Sequence, residues 1–164
     1  MRLLELICLV VPAYCANMAP PFVRFWPGWN RPISRRWLGE HKSVMGFVAG
    51  VVVGTLAGGI EAMLPWPGRL FEPAAWIALG FAQGLGAMAG DSAKSFVKRR
   101  LRIAPGERWV PFDQLDFIAG ALLFSWPWLR LGLGEVALIV ALTIVADMAV
   151  NRISFRLGIR DTPW

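Results

Sequence analysis

Between Gly90 and Gly120 the chain reads GDSAKSFVKRRLRIAPGERWVPFDQLDFIAG. Three aspartates (Asp91, Asp113, Asp116) and six cations (Lys94, Lys98, Arg99, Arg100, Arg102, Arg108) fall here between two apolar segments. Hard carboxylate oxygens hold Mg2+, and Lys and Arg hold phosphates. The mixture suits a metal-bound polyphosphate, and its place at an apolar boundary points to phosphoryl or nucleotidyl chemistry on a lipid. Read as a helix, 91–100 sets Asp91, Lys94, Ser95 and Lys98 on one face at i, i+3, i+4 and i+7, with Arg99 at its edge. Pro105-Gly106 turns the chain back, Pro111 restarts the helix, and Asp113 and Asp116 follow one turn apart. Crowded carboxylates resist ionisation unless a cation sits among them. A Mg2+ pair bridged by Asp91, Asp113 and Asp116 resolves that conflict. The plainer reading is a stop-transfer segment with Asp91 as a counter-charge and Asp113 as a helix cap. Capping accounts for one aspartate, but not for a second at the hydrocarbon boundary, where charge is costly.

A second constellation, Gly39 to Gly46, carries His41, Lys42 and Ser43 at the head of the next apolar segment. Lys42, Ser43 and a helix N-terminus together make an anion site. His41, the sole histidine, reads as structural or phosphate-contacting more readily than as a base. Asn17, Gln83, Asp147 and Asn151 interrupt apolar runs and have no reason to face lipid. Asn17 and Asn151 suit a base edge or, equally, interhelical hydrogen bonds. Asp147 suits an ion pair with Arg152, and Glu61 lies away from the chemistry.

These groups need elements to hold them, and the composition says which. Hydrophobic residues make up 56% of the 164, mean hydropathy is +0.51, and charge is confined to clusters between apolar runs. The fold class expected is an all-α integral membrane protein, one polytopic domain over 1–164. Five spans fit: 3–23, 43–64, 71–89, 117–131 and 134–151. The fourth is short and is expected to start inside the D-x-x-D motif. Cytoplasmic loops at 24–42 and 90–116 carry the chemistry, the second as a helix and loop between spans three and four.

Fourteen of the 17 Lys and Arg residues fall on one side; Arg2, Arg69 and Arg130 are the exceptions. The N-terminus is therefore expected outside and the C-terminus in the cytoplasm of a cell-membrane protein. Trp26, Trp29, Trp37, Trp66, Trp109 and Trp164 read as interfacial anchors. The net charge of +6 then reflects topology, not a nucleic-acid surface. Cys8 and Cys15, about 10 Å apart on a helix, are too distant for a disulfide. Gly46, Gly50, Gly54 and Gly58, followed by Gly80, Gly84, Gly86 and Gly90, permit close helix approach. Packing within one bundle is the ordinary use of such faces; a homodimer through them is the sharper alternative.

The pattern Ser95-x-x-Lys98-Arg99, then Pro105-Gly106 and Asp113-x-x-Asp116, resembles the phosphatidate cytidylyltransferase family. Lys42-Ser43-x-x-Gly46 resembles that family's second motif. The block Pro111-Phe112-Asp113-Gln114-Leu115-Asp116-Phe117 looks like its archaeal branch, the CDP-archaeol synthases. So do Pro12-Ala13-Tyr14 with Asn17 and the tail around Asn151, Leu157-Gly158 and Pro163-Trp164. Val44-Met45 stands where that branch often has Trp-Arg, and Ala104 where Lys is common. The resemblance implies transfer of CMP from CTP to an unsaturated archaeal diether glycerol phosphate, with pyrophosphate released. It maps metal binding onto Asp91, Asp113 and Asp116, and phosphate binding onto Lys98 and Arg99. Lys42, Ser43, Lys94 and Ser95 complete the expected phosphate site, with Lys94 or Arg100 toward the lipid phosphate. A CTP-dependent polyprenol kinase and a small membrane transporter or scaffold remain as alternatives. A CDP-alcohol phosphotransferase does not fit, because Phe117 stands where its signature needs Gly.

Overall fold

The structure, a computed structural model, describes residues 3–23, 30–64, 71–104 and 107–157. The Pro105-Gly106 turn, Arg2, Arg24, Arg69, Arg160, Trp26, Trp29, Trp66, Gly158, Pro163 and Trp164 lie outside those residues. Among the described residues six α-helices follow in order: α1 Leu3–Met18, α2 Pro20–Val23, α3 Val44–Met63, α4 Pro73–Arg100, α5 Phe112–Ser125 and α6 Leu133–Arg156. No strand occurs among the described residues; Pro32 and Ser43 form one isolated antiparallel bridge.

Helices occupy each of the five predicted segments, with shifted ends. The first segment breaks at Ala19 into α1 and α2. The third runs unbroken to Arg100 as one 28-residue helix, carrying Asp91 and Lys98 on its last turns. The fourth starts at Phe112, one residue before the D-x-x-D motif, so that the whole motif is helical, and gives way at Ser125 to a 3-10 turn over Trp126–Trp128. By length and composition three stretches can cross a membrane: Leu3–Val23, Val44–Met63 and Leu133–Arg156. The α4 helix is long enough, but its glycines, Gln83 and basic end dilute its hydropathy. The 14 residues of α5 reach about 21 Å.

The bundle is small inside and large outside. Along α3, Gly46, Gly50, Gly54 and Gly58 are buried, while Val44, Val48, Val52, Leu56 and Ile60 are exposed. That inversion of the soluble pattern is what a lipid solvent requires. A Cβ on Gly54 would lie 2.8 Å from the Gly84 Cα, and one on Gly58 2.9 Å from the Gly80 Cα. The glycine faces are therefore consumed by the α3–α4 contact within one chain. Packing within one bundle, the ordinary reading of those faces, is the use seen at Gly54 and Gly58.

A second glycine seam matters more for the site. Gly86 and Gly90 of α4 lie against Gly120 of α5, and a Cβ on Gly90 would collide with the Asp116 carbonyl oxygen. This seam sets the two aspartate-bearing helices in backbone contact at the level of Asp91 and Asp116. Gln83, fully buried, donates from Nε2 to the Leu9 carbonyl at 2.7 Å and ties α4 to α1. Tyr14 and Thr143 share a 2.7 Å hydrogen bond that ties α1 to α6. Cys8 and Cys15 are free thiols.

Candidate active site

Three local devices carry the charged groups to one place. First, Gly39 adopts φ +85°, a left-handed turn that suits glycine. The chain then doubles back, with Ile33 N–H donating to Lys42 O at 2.7 Å and Val44 N–H to Arg31 O at 3.0 Å. Lys42 is thereby fixed at the head of α3. Second, Ser43 caps that helix, its Oγ accepting from Gly46 N–H at 3.1 Å. Third, the loop after α4 is pinned from both ends. Lys98 Nζ donates to Glu107 O at 2.5 Å and to the Asp113 oxygens at 3.0 and 3.1 Å. Asp113 Oδ2 accepts from Trp109 N–H at 2.6 Å.

Asp91, Asp113 and Asp116 come together, and the centre of the trio is Lys94. Its Nζ lies 3.3 Å from Asp91 Oδ1, 3.3 Å from Asp113 Oδ1 and 2.7 Å from Asp116 Oδ2. Lys42 pairs with the outer oxygen of Asp91, and Lys98 with Asp113. Three ammoniums thus alternate with three carboxylates along one wall. The sequence reading placed a cation among the carboxylates; the one present is an ammonium supplied by α4 itself.

The charges follow from this arrangement. Burial works against ionised Asp91, yet Lys42 and Lys94 hold it below the usual carboxylate range. Burial also opposes Asp113, and the hydrogen bonds from Lys98 and Trp109 hold it low. Asp116 is different: burial, with the Asp91 charge adding to it, pushes it up to about 6 against the pull of Lys94. Lys94 keeps its proton strongly because three carboxylates surround it, although burial opposes the charge.

The wall borders a cavity of about 1200 Å³. Asn17 of α1, Lys42 and Ser43 at the head of α3, Asp91, Lys94 and Lys98 of α4, Asp113 and Asp116 of α5, and Asn151 of α6 all line it. Ser95 and Arg99 do not; Ser95 Oγ donates back to the Asp91 carbonyl at 2.9 Å, and Arg99 Nε is buried elsewhere. Asn151 is buried and donates to Asp147 Oδ2 at 2.9 Å, so its amide already braces α6. Arg100 lies over the Trp37 ring at 4.7 Å, away from the cavity lining. Asn30, Ser92 and Glu107 line the cavity and escaped the sequence reading. Glu107 stood out only as a lone carboxylate among cations. Asn30, whose Oδ1 is buried with no hydrogen-bond partner among the described residues, gave no signal.

The donor set fits a divalent metal. Three hard carboxylates from two helices face one another. Asp116, its side chain only 6% exposed, has Lys94 as the cation beside its Oδ2. With Lys94 among them, no three ligating groups of the described residues stand in metal-holding geometry. A metal would have to take the place the ammonium holds.

Among the described residues, helices long and apolar enough to cross a membrane frame this charged cavity. The CarS-like family model, described as CDP-archaeol synthase, matches residues 1–164, and the chain belongs to that family. The CDP-archaeol synthase of Pyrococcus furiosus is 33% identical over 99% of this chain and 98% of its own. That of Thermofilum pendens is 35% identical over 94% of this chain and 78% of its own. A solved structure, described as an intramembrane enzyme for archaeal membrane lipids biosynthesis, superposes with TM-score 0.78 at 33% identity. It covers 92% of this chain and 94% of that one.

Proposed function

We propose that the chain transfers CMP from CTP to the phosphate of an unsaturated archaeal diether glycerol phosphate, giving CDP-archaeol and pyrophosphate. The observation that carries this reading is the convergence of Asp91, Asp113 and Asp116 with Lys42, Lys94 and Lys98 on one cavity wall. Family membership supports the chemistry. The chain crosses the cell membrane five times, N-terminus outside, and the cavity opens to the cytoplasm where CTP resides. The excess of Lys and Arg in loops 24–42 and 90–116 supports that orientation.

A lipid phosphate oxygen attacks the α-phosphorus in line, and the bond to the bridging oxygen of pyrophosphate breaks. The attacking oxygen is already anionic near neutral pH, so no side chain needs to remove a proton. Catalysis is positioning plus charge neutralisation. Asp91, Asp113 and Asp116 would hold Mg2+, which supplies charge neutralisation for two approaching anions. Lys42 and Lys94 meet phosphate oxygens at the wall. Lys98 acts mainly by holding Asp113 and the 107–111 loop, since its three hydrogen bonds are already made. Asn17 and Asn151 lie in the lining, placed to contact the nucleotide.

The test is product identification with each of the four nucleoside triphosphates and a diether glycerol phosphate, with and without Mg2+. Pyrophosphate and a CDP-lipid, from CTP alone and with Mg2+, are expected. Release of CDP from CTP, with the γ-phosphate moved to a lipid alcohol, would make the protein a kinase, and Mg2+-independent binding without turnover would remove the enzyme reading.

A further inference from the structure

Three cations face the aspartates, but they are held differently. Lys98 spends its donors on Glu107 and Asp113 and is 6% exposed. Lys42 hydrogen-bonds to Asp91 from a separate loop. Lys94 makes two contacts of 3.3 Å, to Asp91 and Asp113, and one of 2.7 Å to Asp116 Oδ2, within charge-assisted hydrogen-bond distance. It alone touches all three carboxylates, and it holds the centre of the trio, the place a divalent cation would need. Its four-carbon stem lines the cavity, so the ammonium can leave the trio without leaving the site.

We infer that Lys94 is an exchangeable counter-ion: it holds the aspartate trio together before a divalent cation binds, yields its place to that cation, and turns its ammonium toward the substrate phosphates. The inference rests on the cytidylyl-transfer reading above. The charge balance gives the reason for such a device. Three carboxylates and three ammoniums leave the wall neutral, and a neutral wall attracts a polyanion weakly. Exchange adds two positive charges and frees an ammonium in one event. Nucleotide capture is thereby coupled to metal loading, and the carboxylates are never left to repel one another, which would loosen the α4–α5 seam. Lys94 is a positioning residue for the carboxylates in one state and a phosphate contact in the other.

Two measurements test this on the full-length protein in detergent, using Mg2+ alone as the probe. In wild type, amine labelling read by mass spectrometry is expected to rise several-fold at Lys94 on adding Mg2+, while Lys98 stays protected. In Lys94→Met, removing the central charge is expected to lower the Mg2+-free melting temperature by on the order of 10 °C. Mg2+ then restores most of that loss and binds roughly tenfold tighter than to wild type, because no ammonium competes. If wild type binds Mg2+ with Lys94 labelling unchanged, the exchange is overturned while the transfer reading stands. The wild-type labelling decides this even if Lys94→Met does not fold. If neither protein binds a divalent cation, both readings fall. A variant no less stable than wild type, binding Mg2+ no more tightly, also overturns the inference.

Discussion

The bundle has a hollow at each end, and each contains a buried carboxylate group. The larger, about 1200 Å³, matches Asp91, Asp113 and Asp116 against three lysines. The smaller, about 330 Å³, is lined by Cys8, Val11, Cys15, Ala57, Ile60, Glu61, Leu64 and Trp76. There Glu61 Oε2 is buried with no hydrogen-bond partner among the described residues. A buried carboxylate is stable when paired and costly when alone. The difference separates a group kept for its charge from one the chain merely tolerates. The polar end is also the one pinned by an N-cap, a left-handed Gly39 and a loop clamped through Lys98, all of which fix geometry.

The sharpest way to break that contrast is to remove one charge from the trio. Asp91→Asn or Asp113→Asn is expected to lower CMP transfer by about 10³-fold or more, with the helical circular dichroism unchanged. Near-normal turnover in either would remove these groups from the chemistry. Next in size is the seam that aligns them. Gly90→Val forces α5 off α4, and a misplacement on the order of 1 Å costs about 100-fold in kcat, with a lower melting temperature as a second readout. Ser43→Ala removes the cap of α3 and is expected to cost about 1 kcal/mol in stability, with a several-fold rise in KM for CTP as Lys42 loosens. The smallest effect belongs to the other end. Glu61→Gln is expected to leave turnover within about twofold and to hold or raise the melting temperature, because a neutral amide is cheaper to bury. A large loss of activity there would erase the distinction between the two hollows.

Much of this was legible in the chain. Alternating apolar and charged runs located the helices, and the glycine spacing located the seams. The i, i+3 pattern put Asp91 and Lys94 on one face. What periodicity cannot show is pairing across the fold. That Lys94 reaches α5 as well as its own Asp91 depends on the Gly90–Asp116 approach, a contact between residues 26 apart in sequence. Ser43 reads in the sequence as part of an anion site, and the cap its Oγ provides by accepting from Gly46 N–H emerges only in the fold. Ser95 lies on the predicted polar face, but its hydroxyl turns back to its own helix, a choice the pattern leaves open. The small-residue faces read first as packing within one bundle, and the close α3–α4 approach at Gly54 and Gly58 shows which helices they join.

The most direct measurement follows the phosphorus. Purified protein is given CTP labelled at either the α- or the γ-phosphate, together with Mg2+ and a diether glycerol phosphate. Label from the α position should enter the lipid while the γ label leaves as pyrophosphate, and Asp113→Asn should abolish both. γ label in the lipid, or α label transferred equally well by Asp113→Asn, would contradict the account.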